Sequence, residues 1–170
     1  MSKQIFKIET KEIEPFIKLI DHQMGGLNFA SVEGAINTNQ KQLLINANLP
    51  SFTYGNLELR EVKLRGVGDA ESLLVNGEAS SVALGDSLTV NNPDLAISTR
   101  SDSTHFIART RTQGPLGDAE IDAYLFAKPN GMEIVFNESS FILNQKKWTI
   151  LSEGNVEVRD KYLISKGLSL

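Results

Sequence analysis

Few residues of this sequence have the types and spacing that catalysis or metal binding requires. The two histidines, His22 and His105, form no His-x-x-x-His or His-Glu-x-x-His motif, and we interpret both as surface residues. Asp118, Glu120 and Asp122 alternate along a predicted strand, where carboxylates on one face could bind a hard cation, but such a row is more typical of a solvated sheet face. No serine lies in a Gly-x-Ser-x-Gly motif. We therefore predict no catalytic residue, no metal site and no cofactor, and a function other than catalysis.

The composition argues against several other classes of function. The chain has 170 residues, a formal charge of -4, 41% hydrophobic residues and no cysteine. Without cysteine there are no disulfides or thiolate metal sites, and without a basic patch we expect no nucleic-acid partner. No apolar run approaches the roughly 20 residues that a membrane-spanning helix needs. The length is typical of one domain and no linker divides it, so we predict a single β-rich domain over 1–170.

One segment near the start has helical periodicity. Its apolar residues recur at the spacing of one helix face: Ile13, Phe16, Ile17, Ile20 and Met24. With Thr10 near the N-cap, Pro15 in the first turn and Gly25-Gly26 as a stop signal, the segment predicts a helix over 11–24. We expect this helix to pack on a sheet. A lid and a membrane-surface helix are the alternatives, although its polar side lacks the basic excess of a membrane-binding helix.

The rest of the chain alternates apolar and polar residues with period two, which is typical of strands with one apolar face. A short opening strand is predicted at Ile5, Phe6 and Ile8, before the helix. The first strand after the helix is predicted to begin at Leu27 and Phe29 and to continue through Val32, Gly34 and Ile36 on the other parity. Further strands are predicted at 43–49, 57–64, 73–79, 82–84, 88–90, 95–99, 106–110, 119–126, 132–136, 141–143, 148–150, 156–158 and 163–170. This spacing indicates an all-β, mostly antiparallel meander with one short N-terminal helix.

Two features of the strand pattern bear on the shape of the sheet. The apolar parity changes from Leu57 and Leu59 to Val62 and Leu64, which predicts a bulge or bend near Arg60-Glu61. Period two alone does not distinguish a curved open sheet from a closed sandwich, because both need one apolar face per strand. Both architectures therefore stay open at this point.

The most distinctive strings of the sequence lie in its last 35 residues and have counterparts upstream. They are FNESSFILN (136–144), KWTI (147–150), NVEV (155–158) and LSL (168–170), with YGNLEL (54–59) and VKLRG (62–66) upstream and GGL (25–27) and GAI (34–36) after the predicted helix. Together they resemble the β-rich periplasmic region of the TamB family, within the wider AsmA-like group, as found in Bacteroidetes-type bacteria. In that region a strand ending in Phe precedes a Ser-containing turn, Trp-x-Ile, Asn-(Ile/Val)-x-(Ile/Val) and a final strand.

The sequence departs from the family pattern at both ends. It has no N-terminal membrane anchor, and Leu163, Leu168 and Leu170 are apolar strand residues with no turn after them. Both departures are typical of a fragment of a longer chain. The last strand would then be a sheet edge, and we expect it to pair with adjacent strands of the parent chain or with a second copy.

The resemblance implies a long curved sheet, the "β-taco", whose concave face is apolar. Such proteins are thought to be anchored in the inner membrane, to cross the periplasm and to help lipids or outer-membrane proteins reach the outer membrane. A periplasmic location and two partners follow as expectations: lipid acyl chains and an outer-membrane assembly protein. The residues expected to line the lipid-binding face are Leu57, Leu59, Leu64, Val75, Ile121, Leu125, Ile134, Phe136, Trp148 and Ile150.

A second interpretation belongs to a different class of function. The same strands could form an extracellular or surface β-sandwich, an adhesin-like binding module with a glycan as its ligand. Glycan sites usually offer exposed aromatic rings with polar edges. Trp148, the only tryptophan, instead shares an apolar side of its strand with Ile150, which favours a trough or a core.

Overall fold

A computed structural model describes residues 3–86, 88–111, 116–151, 154–159 and 162–166 of the chain. The described part contains one helix, α1 (Glu14–Ile20), and sixteen strands. The strands are β1 (Lys3–Glu9), β2 (Met24–Gly26), β3 (Ser31–Asn37), β4 (Gln42–Tyr54), β5 (Leu57–Gly68), β6 (Ser72–Glu78), β7 (Ser81–Leu84), β8 (Leu88–Asn91), β9 (Asp94–Arg100), β10 (Ser103–Thr110), β11 (Leu116–Lys128), β12 (Gly131–Phe136), β13 (Ser139–Leu143), β14 (Lys146–Ile150), β15 (Asn155–Arg159) and β16 (Tyr162–Lys166).

All of these strands belong to one antiparallel sheet, which confirms the predicted all-β class with one short helix. The main path of the sheet runs β1-β3-β4-β5-β6-β9-β10-β11-β12-β15-β16. Short strands lie beside this path: β2 pairs with β4, β7 with β5 and β8, and β13 with β11 and β14. Most neighbours are consecutive in sequence, as the predicted meander requires.

The helix is shorter than predicted. It spans Glu14–Ile20 rather than 11–24, because Met24–Gly26 pairs as a strand with the end of β4. Thr10 is not the N-cap, since that position belongs to Ile13. The side chain of Asn28 instead accepts hydrogen bonds from the N–H of the N-cap Ile13 at 2.8 Å and of Glu14, the first helical residue, at 3.1 Å.

The helix contacts the sheet mainly at its short strand β2, so the expectation that its apolar stripe is covered by the sheet was wrong. None of its residues is buried. Phe16, Leu19 and Ile20 are 67%, 83% and 83% exposed. No helix among the described residues is long and apolar enough to cross a membrane.

The segment after the helix also differs from its prediction. Leu27 and Phe29 have φ values of 60° and 57°, so they lie in a turn and do not begin a strand. The strand β3 begins at Ser31 instead. Alternation of apolar residues at 27 and 29 therefore came from a turn, where side-chain directions do not follow the strand period.

A line of kinks crosses the sheet where the apolar parity changes. Glu61 has a φ of 49°, which confirms the predicted irregularity in β5. On one side of Glu61, β5 pairs with β6, and on the other side it pairs with β7. Hydrogen bonds continue the line, from Ser80 N–H to Arg60 O at 3.0 Å and from Asn92 N–H to Ser80 O at 2.9 Å. We call this feature the kink line; it also separates β8 from β9 and β12 from β13.

The sheet does not enclose a core. Among the residues whose side chains the structure describes, the buried apolar ones are Ala30, Val62 and Ala123, and no leucine, isoleucine, phenylalanine or tryptophan is buried. The accessible surface is 11753 Å², whereas a compact monomer of 18.7 kDa exposes about 8,300 Å². A closed sandwich of this size would bury many large apolar side chains. The described strands therefore form an open sheet with partly exposed faces.

Candidate functional site

One face of the sheet is apolar across most of its width. Residues paired across antiparallel strands project from the same face, so the registers define this apolar face. One cross-strand row on it is Gly34, Ile45, Gly66, Val75, Ile97, Phe106, Ala123 and Phe136. The next row is Ile36, Leu43, Gly68, Leu73, Thr99, Thr104, Leu125, Ile134 and Val156. Neither row contains a charged residue.

Six of the ten residues predicted for a lipid-binding surface lie together on this face. Leu64 and Ile121 share a row, Val75 and Phe136 share a second, and Leu125 pairs directly with Ile134. All six are partly exposed. The six predicted residues in these shared rows are Leu64, Val75, Ile121, Leu125, Ile134 and Phe136.

The other four predicted residues lie beyond the kink line, in two separate groups. Leu57 and Leu59 pair with residues of β4 and β7. Trp148 pairs with Phe141 of β13, and their rings stack at 6.4 Å. Phe141 in turn pairs with Ala119, a residue on the apolar parity of β11. At the kink line one extra residue shifts which positions of a strand are apolar. The apolar side of the sheet therefore continues across the kink line onto the short strands, where these two groups lie.

The sequence interpretation missed several members of the apolar face. Leu43, Ile45, Leu73, Ile97 and Phe106 occupy the same cross-strand rows as the predicted residues. Their period-two parity carried part of the same signal, but the apolar neighbours Leu44, Leu74 and Ile107 interrupt the alternation. What the sequence lacked was the strand register that places them in common rows.

Glycines on this face make room for large neighbours. A Cβ at Gly66 would come within 2.6 Å of Ile45 Cγ2, and one at Gly77 within 2.8 Å of Leu64 Cδ2. A Cβ at Gly34 would come within 2.6 Å of Phe6 Cζ. Large side chains from neighbouring strands therefore fold over the glycine positions and cover the backbone there. This cover comes from the sheet itself and not from a second sheet packed against it.

The opposite face is mainly polar, although it also carries a row of exposed apolar residues, Leu44, Val67 and Leu74. Part of this face forms a groove of about 660 Å³. The groove crosses β1, β3, β4, β5, β6, β9 and β10. Its charged and amide residues, which define what we call the polar groove, are Lys7, Glu9, Glu33, Asn46, Asn48, Lys63, Arg65, Asn76, Glu78, Asp94 and Arg109. Polar side chains thus provide most of the described lining of this groove, and small or apolar residues, including Leu64 and Leu95, also border it.

Most cations of the polar groove are held by carboxylates. Lys7 Nζ lies 2.7 Å from Glu9 Oε1, and Lys63 Nζ lies 3.2 Å from Glu78 Oε1. Arg109 Nη2 lies 3.3 Å from Glu120 Oε1. The hydrogen bond to Glu9 and its negative charge raise the pKa of Lys7, as those of Glu120 raise the pKa of Arg109. Lys7 and Arg109 therefore stay cationic at neutral pH.

A polar cluster lies beside the groove on β10 and β11. His105 Nε2 lies 2.8 Å from Asp122 Oδ1, and Asn137 donates to the same carboxylate oxygen. The His105 ring stacks on Tyr124 at 4.4 Å. His105 is therefore a partly buried, paired residue rather than the surface residue expected, whereas the side chain of His22 is 87% exposed, as predicted.

Of the three carboxylates that alternate along β11, Asp118, Glu120 and Asp122, the last two have side-chain partners. Asp122 accepts from His105 and Asn137, and Glu120 pairs with Arg109. Across the described ranges, no three His, Cys, Asp or Glu side chains are grouped so that they could hold a metal ion. The row is thus part of a hydrogen-bonded polar face.

Comparison of the chain with protein-family models, with curated proteins and with solved structures finds no match.

Proposed function

We propose that this protein is a non-enzymatic module whose apolar face shelters lipid acyl chains. The observation that carries the proposal is the uncovered apolar face: the surface of 11753 Å² is about 40% above that of a compact monomer. Exposing the apolar part of this surface to water is unfavourable, at about 25 cal/mol per Å². A hydrophobic ligand or partner that covers the face would remove this cost.

The dimensions and chemistry of the face suit acyl chains. The strands β4 and β11 are 13 residues long, about 43 Å at ~3.3 Å per residue. One bilayer leaflet contributes only about half of a ~30 Å hydrocarbon core. Because the face lacks charged residues in its rows, it would accept the tails of different lipids with little selection for the head group.

We infer a periplasmic role of the TamB type from the resemblance of the sequence together with the uncovered face. In this role the module would be one segment of an apolar trough between the inner and outer membranes, carrying lipid tails or assisting an outer-membrane assembly protein. Adjacent strands of a parent chain or of a second copy would extend the trough by pairing at the edges. The strands β14 and β16 suit that role, because each has a single neighbour among the described strands.

We expect an aspartate at one of two neighbouring positions on β12 to abolish most of the lipid binding and an aspartate at the other to leave it unchanged. Ile134 lies on the apolar face and Val135 on the polar face, and both are partly exposed. Native mass spectrometry after expression in a Gram-negative host should detect phospholipid bound to the wild type and to Val135→Asp. Ile134→Asp should stay folded by circular dichroism and lose most of the lipid, because an aspartate is costly to place against acyl chains.

Two results would contradict the proposal. One is a wild type that carries no lipid, together with an unfolded Ile134→Asp variant, since this would indicate a dry core. The other is equal lipid loss in both variants, which would indicate general destabilisation.

The alternative of a glycan-binding surface module has weaker support. Its best candidate is the aromatic series His105, Tyr124 and Phe126 on the polar face. The rings are nearly parallel, with interplanar angles of 12° and 18°, so the central ring is stacked between its neighbours. A sugar ring needs an open aromatic face, and the two neighbours cover the faces of Tyr124.

A further inference from the structure

The polar groove contains one cation that differs from the others. Of the four cationic side chains that line it, Lys7, Lys63 and Arg109 form ion pairs. Arg65 forms no ion pair with any described residue, although it lies among carboxylates. The N–H groups of its guanidinium are therefore available to donate hydrogen bonds to a ligand.

Two amides lie on either side of Arg65. Asn46 pairs with Arg65 across β4 and β5, and Asn76 pairs with it across β5 and β6. Directly paired residues have Cβ atoms about 4.5–5.5 Å apart on the same face. Neither asparagine makes a side-chain hydrogen bond with another described residue, so both amide groups can turn their N–H donors toward a common ligand.

We propose that Arg65, Asn46 and Asn76 form a binding site for a carboxylate group of a small organic ligand. A guanidinium binds a carboxylate through two parallel N–H···O bonds, and the flanking amides can donate to the remaining lone pairs. The groove volume of about 660 Å³ lies within the range of small-molecule sites. This inference concerns the face opposite the proposed lipid surface and does not depend on it.

The surrounding charges favour a carboxylate over a phosphate. Glu33 pairs with Asn46 from the far side, and Asp94 lies in the next row of the groove. Each lies across a strand pair from a cation, Glu33 from Lys7 and Asp94 from Arg109, although neither forms an ion pair with it. A dianionic phosphate would be repelled by both, whereas a monoanion held by Arg65 carries half that charge.

Titration with acetate, monitored by NMR, tests the site in the intact protein. At constant ionic strength, the Arg65 Nε–H and the Asn46 and Asn76 side-chain amides should shift together and saturate with one dissociation constant. Acetamide, which has the same shape without the charge, should cause no saturable shift. Arg100, a cation on the same face outside the groove, provides the internal control and should respond only weakly.

Two variants and a second anion complete the test. Arg65→Gln should weaken acetate binding at Asn46 and Asn76 by about tenfold or more, while Arg100→Gln should leave it unchanged. Shifts at Arg65 no larger than those at Arg100, or shifts that persist in Arg65→Gln, would overturn the site. Inorganic phosphate binding more tightly than acetate would overturn its assignment to carboxylates.

Discussion

At the scale of single residues, the polar cluster at the kink line shows how the sheet satisfies its interrupted ladder. Between β12 and β13 the pairing with β11 is broken, and Ser139 is 2% exposed. Its hydroxyl accepts from Asp122 N–H at 2.9 Å and donates toward Asn137 O at 3.0 Å. A buried backbone N–H without a partner costs about 1–3 kcal/mol, so this hydroxyl replaces a lost ladder bond.

This arrangement predicts that Ser139→Ala destabilises the protein. The substitution leaves the N–H of Asp122 without an acceptor, and we expect the free energy of unfolding to fall by about 1–3 kcal/mol. Ser140→Ala, one position along the same strand, is the control and should change it by less than about 0.5 kcal/mol. Urea denaturation of both variants measures the difference, and equal effects would contradict the assigned role.

Single residues were also where prediction from sequence was weakest. The apolar members of the face followed from alternation, because each strand carries its own period-two signal. The contact of His105 with Asp122 did not, because it depends on the register between β10 and β11. Period two assigns a face to each residue and leaves the cross-strand partner open.

At the scale of elements, the kink line joins two sets of strands. Glu61 has a φ of 49°, and Asn92 has a φ of 48°. Left-handed backbone is costly for a residue with a Cβ, by roughly 1–2 kcal/mol. The parity change from Leu59 to Val62 revealed this point in the sequence, because one extra residue shifts the apolar side.

Substitutions at Glu61 test the left-handed conformation. Glycine adopts positive φ without steric cost, so Glu61→Gly should leave the free energy of unfolding unchanged or raise it by up to about 1 kcal/mol. Glu61→Val should lower it by about 1–2 kcal/mol, because a β-branched side chain disfavours this conformation. Thermal and urea unfolding measure both. A valine variant more stable than the glycine variant would contradict the kink.

The helix shows why local patterns can mislead. Met24 continued the apolar spacing of the helix, so the prediction extended to residue 24. In the structure Met24 and Gly25 pair with Tyr54 and Thr53 of β4. The strand pairing of a distant segment thus replaced the last helical turn, as tertiary context often overrides local propensity.

At the scale of the whole molecule, the fold class was predictable and the open architecture was not. Alternating strands with turns between them predicted the antiparallel meander. Whether the apolar faces meet each other depends on the curvature of the sheet, which period two does not encode. The burial of only Ala30, Val62 and Ala123 among apolar residues answers that question for the described part. The predicted end of the last strand at Leu168–Leu170 lies outside the described residues.

The central claim is that acyl chains contact the apolar face and not the polar one. Trp148 is the only tryptophan, so Trp148→Phe gives a background in which one new tryptophan can be placed on either face. Phe106 lies on the apolar face and Ile107 on the polar face of the same strand, and both are partly exposed.

Fluorescence quenching by phosphatidylcholine with brominated acyl chains tests this claim most directly. With Phe106→Trp in this background, emission should be strongly quenched relative to the same lipid without bromine, because bromine quenches only near contact. With Ile107→Trp, emission should be almost unchanged. Equal quenching of the two variants, or none in either, would contradict the account.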